Sequence, residues 1–168
     1  METRPIGLVA AESLQDVIAA PRRSVPRISA AALRQIPLFE GLSDRQLKRV
    51  ARLAILAEFR EGTSIVREGT RAHSFFIVVD GRARVERGGV VTASLVAGDG
   101  FGEMALLDGE PRSASVVAET DVAAVRIAAD PFRALLRREP AIAIALLRTL
   151  SLRVRRLEGA SGATPASA

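Results

Sequence analysis

Along this chain the spacing of apolar and polar positions changes period twice. Leu47, Val50, Ala51 and Ala54 recur three or four residues apart, which places them on one face of a helix. Its start is marked by Ser43-Asp44-Arg45-Gln46. There the Ser43 hydroxyl can take the Gln46 amide while the Gln46 side chain reaches back to the Ser43 amide, with Leu42 and Leu47 flanking as a hydrophobic staple. From Ile55 to Ile127 the period becomes that of short strands, punctuated by Gly62, Gly69, Gly81, Gly88-Gly89 and Gly98. Ala83 and Val85 pair in expectation with the stretch Val90 to Val96, around a turn at Gly88-Gly89. Helix then returns, with Asp130 expected as cap and Pro131 at the first helical position. Pro140 begins another helix, in which Ala143, Leu147, Leu150, Val154 and Leu157 form a heptad-like seam. That seam is either an interface with a second copy or a face packed on the strands. The pattern predicts a mainly β domain, sandwich or barrel, with helices on either side of it in sequence.

The ends read differently. Residues 1–28 are a leader in which Leu8 to Ala20 could form an amphipathic helix, followed by a linker held open by Pro21 and Pro26. Arg22-Arg23-Ser24-Val25 is read as part of that solvated linker rather than as a basic kinase-substrate site. The domain proper is placed at 29–158. The small, polar residues of 159–168 are expected to be disordered.

Composition narrows the function classes. With 168 residues, 48% of them hydrophobic, the chain can build one core without staples. It has no cysteine, which removes disulfides, thiolate metal sites and thiol redox chemistry. His73, the single histidine, sits in an expected turn and makes a poor metal site by itself. The net charge of +5 comes almost wholly from arginines, with Lys48 the one lysine. Because those arginines are scattered and adjoin acids, as in Arg60-Glu61 and Arg67-Glu68, and because Tyr and Trp are absent, no nucleic-acid partner is expected. No apolar run approaches the about 20 residues needed to cross a bilayer, so no membrane partner is expected and the chain is read as cytoplasmic.

One stretch carries distinctive chemistry: Phe101-Gly102-Glu103-Met104-Ala105-Leu106-Leu107, then Asp108-Gly109-Glu110, then Pro111-Arg112-Ser113-Ala114. Glu103 to Leu107 favours a helical turn inside strand-rich sequence, and the free amides at such a turn suit an anion. Gly102, lacking a Cβ, allows close backbone approach. Arg112 brings a planar donor fork matched to two phosphate oxygens. Glu103 would repel a phosphate and is better suited to a sugar hydroxyl. Together these residues point to a sugar phosphate with a free hydroxyl.

The segment from Phe101 to Ala114 resembles the phosphate-binding cassette of cyclic nucleotide-binding domains. The resemblance extends over Gly62, Ile65, Gly69, Ala72, Phe75 to Val78 and Gly81 before it, and Asp121, Ile127 and Phe132 after it, covering about Leu33 to Leu157. It implies a double-stranded β-helix or jelly-roll-like β-roll with N-terminal helices and a C-terminal lid helix over 141–157. It also implies that Arg112 pairs with a cyclic phosphate and Glu103 accepts the ribose 2′-hydroxyl. The amides of Gly102, Ala105 and Ser113 and the Ser113 hydroxyl would then surround the ligand, with Met104 and Ala114 completing the cassette. Family members selective for cGMP often carry threonine after the cassette arginine. Ser113 stands there instead, so cAMP is the expected ligand and cGMP the weaker one. Arg153, on the polar face of the last helix with Arg148, Thr149 and Arg156, is the candidate to stack over the purine.

Three functions compete. A regulatory module would bind cAMP, need no cofactor or metal, and signal to an effector protein by lid movement, with a homodimer through the last helix as an option. A transcription factor of the catabolite-activator type would need a DNA-reading helix pair, and only about ten residues follow Leu157. An enzyme would need a nucleophile–base pair or metal cluster, which the motifs do not supply. A site that keeps the fold but has lost the ligand is the remaining alternative. The first is the expectation.

Overall fold

The computed structural model describes residues 27–161, so the leader's proposed helix, most of the linker and the end of the tail lie outside the described residues. A short helix α1 (Ala30–Leu33) and a 3₁₀ turn at Pro37–Phe39 lead into α2 (Asp44–Leu53). Eight strands follow: β1 (Ala54–Phe59), β2 (Ser64–Val66), β3 (Ser74–Asp80), β4 (Ala83–Arg87), β5 (Val90–Leu95), β6 (Gly100–Phe101), β7 (Ser115–Ala118) and β8 (Val122–Ala128). A one-turn helix α3 (Met104–Leu107) interrupts them, and α4 (Ala129–Arg138) and α5 (Pro140–Ser161) close the domain.

The strands form two antiparallel four-stranded sheets, ordered β1-β8-β3-β6 and β2-β7-β4-β5. The first sheet is covered on both faces, which explains why β3 reads as an unbroken apolar run rather than an alternation. Phe75 and Ile77 point to the helices and join Leu33, Leu47, Val50, Phe132 and Ile142 in one core. Phe76 and Val78 point the other way and meet Ile65, Ala83, Leu95, Val116 and Ala118 of the second sheet in another. Stacked rings pin both sides: Phe75 on Phe132 at 4.5 Å and Phe76 on Phe101 at 5.1 Å between centroids. Each such pair adds about 1 kcal/mol beyond the area it buries.

The capping box at Ser43 forms in both directions, with Leu42 and Leu47 buried beside it. The hairpin β4–β5 turns at Gly88-Gly89, both at positive φ, the geometry that lets a two-residue turn follow strand twist. Two expectations are corrected. Helix α4 starts two residues early, with Ala128 at its cap position making no side-chain bond. Asp130 therefore lies within the first turn, where it pairs with Arg133 at 3.2 Å and favours the helix dipole. Helix α5 runs to Ser161, past the boundary expected at Gly159.

The seam on α5 is corrected as well. The face that packs inward carries Ile142, Ala145, Leu146 and, in part, Leu150. Leu147 and Val154 are 61% and 53% exposed, so these two seam positions lie off the packed face while Leu150 lies at its edge. Helix α5 is apolar on two stripes, and the sequence alone gave no reason to prefer Ile142 and Leu146. The Leu157 side chain lies outside what the structure describes.

Candidate ligand site

The site is built where β6 leaves the first sheet and the chain crosses to β7. Phe101 anchors the departure by stacking on Phe76. Gly102 follows at φ +85°, and a Cβ there would intrude on the Arg112 guanidinium. Glycine is thus required twice, for the backbone turn and for the space. The close approach is to the arginine, a partner the sequence reading did not foresee.

Arg112 is only 3% exposed. Its Nη1 donates to the Gly102 carbonyl at 2.7 Å and its Nη2 to the Ser74 carbonyl at 2.8 Å. Its backbone is fixed too, with the Arg112 amide on the Thr70 carbonyl and the Gly69 amide on the Arg112 carbonyl, both at 2.8 Å. A guanidinium has five N–H donors, so two carbonyl anchors are compatible with a grip on two anionic oxygens. The Arg112 charge is thereby held at a set angle before any ligand arrives.

Glu103 comes next in the chain and is 2% exposed. Its carbonyl accepts from the Leu106 and Leu107 amides at 3.0 Å, opening α3. Its side chain does not cap that helix. Instead Oε1 accepts from Arg153 Nη1 of α5 at 2.8 Å. Oε2 is buried without a hydrogen-bond partner. Burial pushes the Glu103 carboxyl above the usual carboxylate range, opposed first by the Arg153 charge, then by its backbone hydrogen bond and by Arg112. Leaving a buried carboxylate oxygen unmatched costs about 1–3 kcal/mol, which a hydroxyl donor would recover.

The structure brings the expected residues together unevenly. Gly102, Glu103, Ala105 and Arg112 converge, with Ala105 buried. Met104 is half exposed, Ser113 is exposed and Ala114 half-buried, so these three line the rim. Arg153 does reach the site, but its partners are the Glu103 carboxylate and the Gly100 carbonyl. The sequence reading assigned it to the purine and did not foresee this ion pair. Thr149 is half-buried and gives its hydroxyl to the Ala145 carbonyl of its own helix, whereas Arg148 and Arg156 are exposed. His73 is exposed, and no group of three or more metal-ligating side chains occurs among the described residues.

Two contributors were missed. Ser74 holds Arg112 by its carbonyl and accepts Arg126 Nε on its hydroxyl at 2.8 Å. Arg133 of α4 donates to the Leu106 carbonyl at 2.9 Å, tying α3 to the helical layer. The first acts through main chain, which leaves no residue-type signal. The second stands amid many arginines with nothing to distinguish it.

A buried arginine fork and a buried carboxylate thus lie side by side on a glycine-bent crossing between two sheets, an arrangement whose chemistry suits a small anion that also bears a hydroxyl. The model of the cyclic nucleotide-binding domain matches residues 56–139, and the chain belongs to that family. It is 35% identical over 112 residues to the cAMP-dependent protein kinase regulatory subunit of Aspergillus niger, an alignment covering 66% of this chain and 27% of that one. The chain thus spans about a quarter of the length of this curated relative. Among solved structures it resembles the regulatory domain of Toxoplasma gondii PKA, co-crystallised with cAMP, at TM-score 0.65 and 26% identity, covering 73% of this chain and 48% of that one. The Thermus thermophilus catabolite activator protein matches at TM-score 0.66 and 32% identity, covering 73% and 60%. The β-roll with flanking helices is therefore shown by architecture and likeness together. Among the described residues no helix is long and apolar enough to cross a membrane.

Proposed function

We propose that this chain is a cAMP-binding regulatory module in which ligand and helix α5 share one carboxylate. The observation that carries the reading is Glu103: Oε1 is held by Arg153, while Oε2 is buried and unpartnered. A ribose 2′-hydroxyl donating to Oε2 would satisfy it, and Arg112 would take the cyclic phosphate. Because Arg153 favours the ionised, oriented carboxylate that the hydroxyl needs, ligand and α5 support one another through Glu103. The cAMP bound by the Toxoplasma gondii domain supports the choice of nucleotide. Ser113 after the cassette arginine supports cAMP over cGMP, since it lacks the methyl that fixes a threonine hydroxyl's rotamer.

Signalling then follows from differential affinity. A ligand preferring one placement of α5 a hundredfold supplies about 2.7 kcal/mol, enough to release or recruit an effector protein that reads that helix. The regulatory subunits among its relatives make a protein kinase the effector class to test first. The exposed stripe Ile144, Leu147 and Val154 favours a second copy as an additional partner. Sedimentation of Leu147→Asp would show the monomer if that holds, and an unchanged mass would dismiss it. Binding, with no turnover of the nucleotide, is the role proposed, in the cytoplasm and without nucleic acid.

The test is isothermal titration with cAMP and cGMP. One cAMP per chain is expected, bound about tenfold more tightly than cGMP, a difference of about 1.4 kcal/mol. No heat and no rise in thermal midpoint with either nucleotide would reject the reading.

A further inference from the structure

A second buried carboxylate lies outside the cradle and is not used by the binding scheme. Glu139 is the residue between α4 and α5: it caps α4 with φ −126° and ψ 78°, and Pro140 begins α5. It is 2% exposed, as buried as Glu103. Its backbone closes both helices, with the Glu139 amide on the Leu135 carbonyl at 2.9 Å and its carbonyl accepting the Ile142 amide at 3.0 Å. Its side chain turns to α2. Gln46 Nε2 donates to Oε2 at 2.6 Å, and Arg49 Nη2 stands 2.8 Å from Oε1.

A carboxylate in such a place is costly unless matched by charge and donors. Both come from one face of α2, one turn apart. Gln46 is also the last residue of the capping box, its Oε1 accepting the Ser43 amide at 2.8 Å. Because the oxygen and nitrogen of an amide point in fixed, diverging directions, the cap aims Nε2 at the hinge. The start of α2 and the joint between α4 and α5 are thus one hydrogen-bonded unit.

The joint has leverage. Arg153 lies fourteen residues along α5 from Glu139, about 21 Å at helical rise. A tilt of about 10° at the hinge therefore carries the Arg153 end by about 4 Å, more than a hydrogen bond tolerates. We propose that Gln46 and Arg49, acting through Glu139, are positioning residues that set the angle of α5 and so decide whether Arg153 meets Glu103. This rests on the binding scheme above for its effect on nucleotide, but not for its effect on α5.

The absence of cysteine makes a direct test practical, since labels go only where cysteine is introduced. Spin labels at Leu152→Cys on α5 and Val91→Cys on β5, both exposed sites, report the distance between helix and roll in the full chain. Arg49→Met, which keeps the aliphatic stem, and Glu139→Gln are expected to shift or broaden that distance. They should also weaken cAMP by about fivefold at most, the loss expected of Arg153→Ala itself, and Arg49→Met should cost no further affinity in an Arg153→Ala background. A merely structural role would lower the thermal midpoint while leaving the distance unchanged and the affinity losses additive. Either of those two results in folded Arg49→Met would overturn the proposal. If the wild type binds no cAMP yet the distance responds to Arg49→Met, the clamp stands and the binding scheme falls.

Discussion

The cassette and helix α5 face each other across the same carboxylate, yet they are held by different means. In the cassette the ties are several and overlapping, and most of them reach outside it. Gly102 must be glycine for Arg112 to lie where it does, Arg112 is fixed by its side chain to Gly102 and Ser74 and by its backbone to Gly69 and Thr70, and Leu106 of α3 is buried. Helix α5 rests on Ile142, Ala145, Leu146 and in part Leu150 in its first half, and beyond them on Arg153 reaching back to Glu103 and Gly100. A part tied at many points keeps its shape when one tie is lost. A helix packed along its first half and tied by one side chain beyond it can swing at its far end when that tie is released.

Four substitutions break or sharpen that contrast. Arg112→Ala has the largest expected effect, a loss of about 3 kcal/mol or roughly a hundredfold in cAMP affinity, with the fold retained by circular dichroism. Lysine at that position should restore only part, since it keeps the charge and loses the fork. Glu103→Gln is next: titrated against cAMP and its 2′-deoxy analogue, the wild type should prefer the ribonucleotide by about tenfold, and the variant should narrow that gap. An unchanged gap would remove Glu103 from the ribose.

Arg153→Ala tests the distant tie and should weaken cAMP by about 1 kcal/mol without abolishing it. It should also change the pH profile. Burial already raises the Glu103 pKa, and Arg153 is the largest influence lowering it. The hydroxyl needs the ionised acceptor, so affinity falls as pH falls through that pKa. Removing Arg153 raises the pKa further, so the fall begins at higher pH in the variant. Titrations across pH would contradict the scheme if the two profiles coincided. Ser113→Thr, on the exposed rim, has the smallest expected effect, a severalfold gain in cGMP affinity that shrinks the preference for cAMP.

What was legible in the sequence follows the same division. The capping box, the Gly88-Gly89 hairpin and the cassette are written in neighbouring residues, so their spacing announces them. The run Phe75 to Val78 announced strand but not the two-sided burial that makes it so apolar. Long-range ties were less visible. The carbonyl of Ser74 under Arg112 has no side-chain signature. The helical face of α5 singles out Arg153, but its contact with Glu103, fifty residues away in the chain, has no local signature. The seam through Leu147 looked as good as the stripe through Leu146, since helical periodicity alone cannot tell an inner face from an outer one.

The order of the first sheet has a consequence for how this chain comes into being. Ala54 at the start of β1 lies opposite Ile127 at the end of β8, and β8 also supplies the neighbour of β3. No two strands that adjoin in that sheet are consecutive in the chain. On a ribosome, β1 and β3 emerge long before the strand that joins them, and wait with both apolar faces uncovered. Such late closure favours slow folding and exposure to chaperones. It also fixes where the polypeptide can be shortened: a truncation before Val122 would remove the shared strand, leaving β1 without a partner in its sheet and β3 with β6 alone.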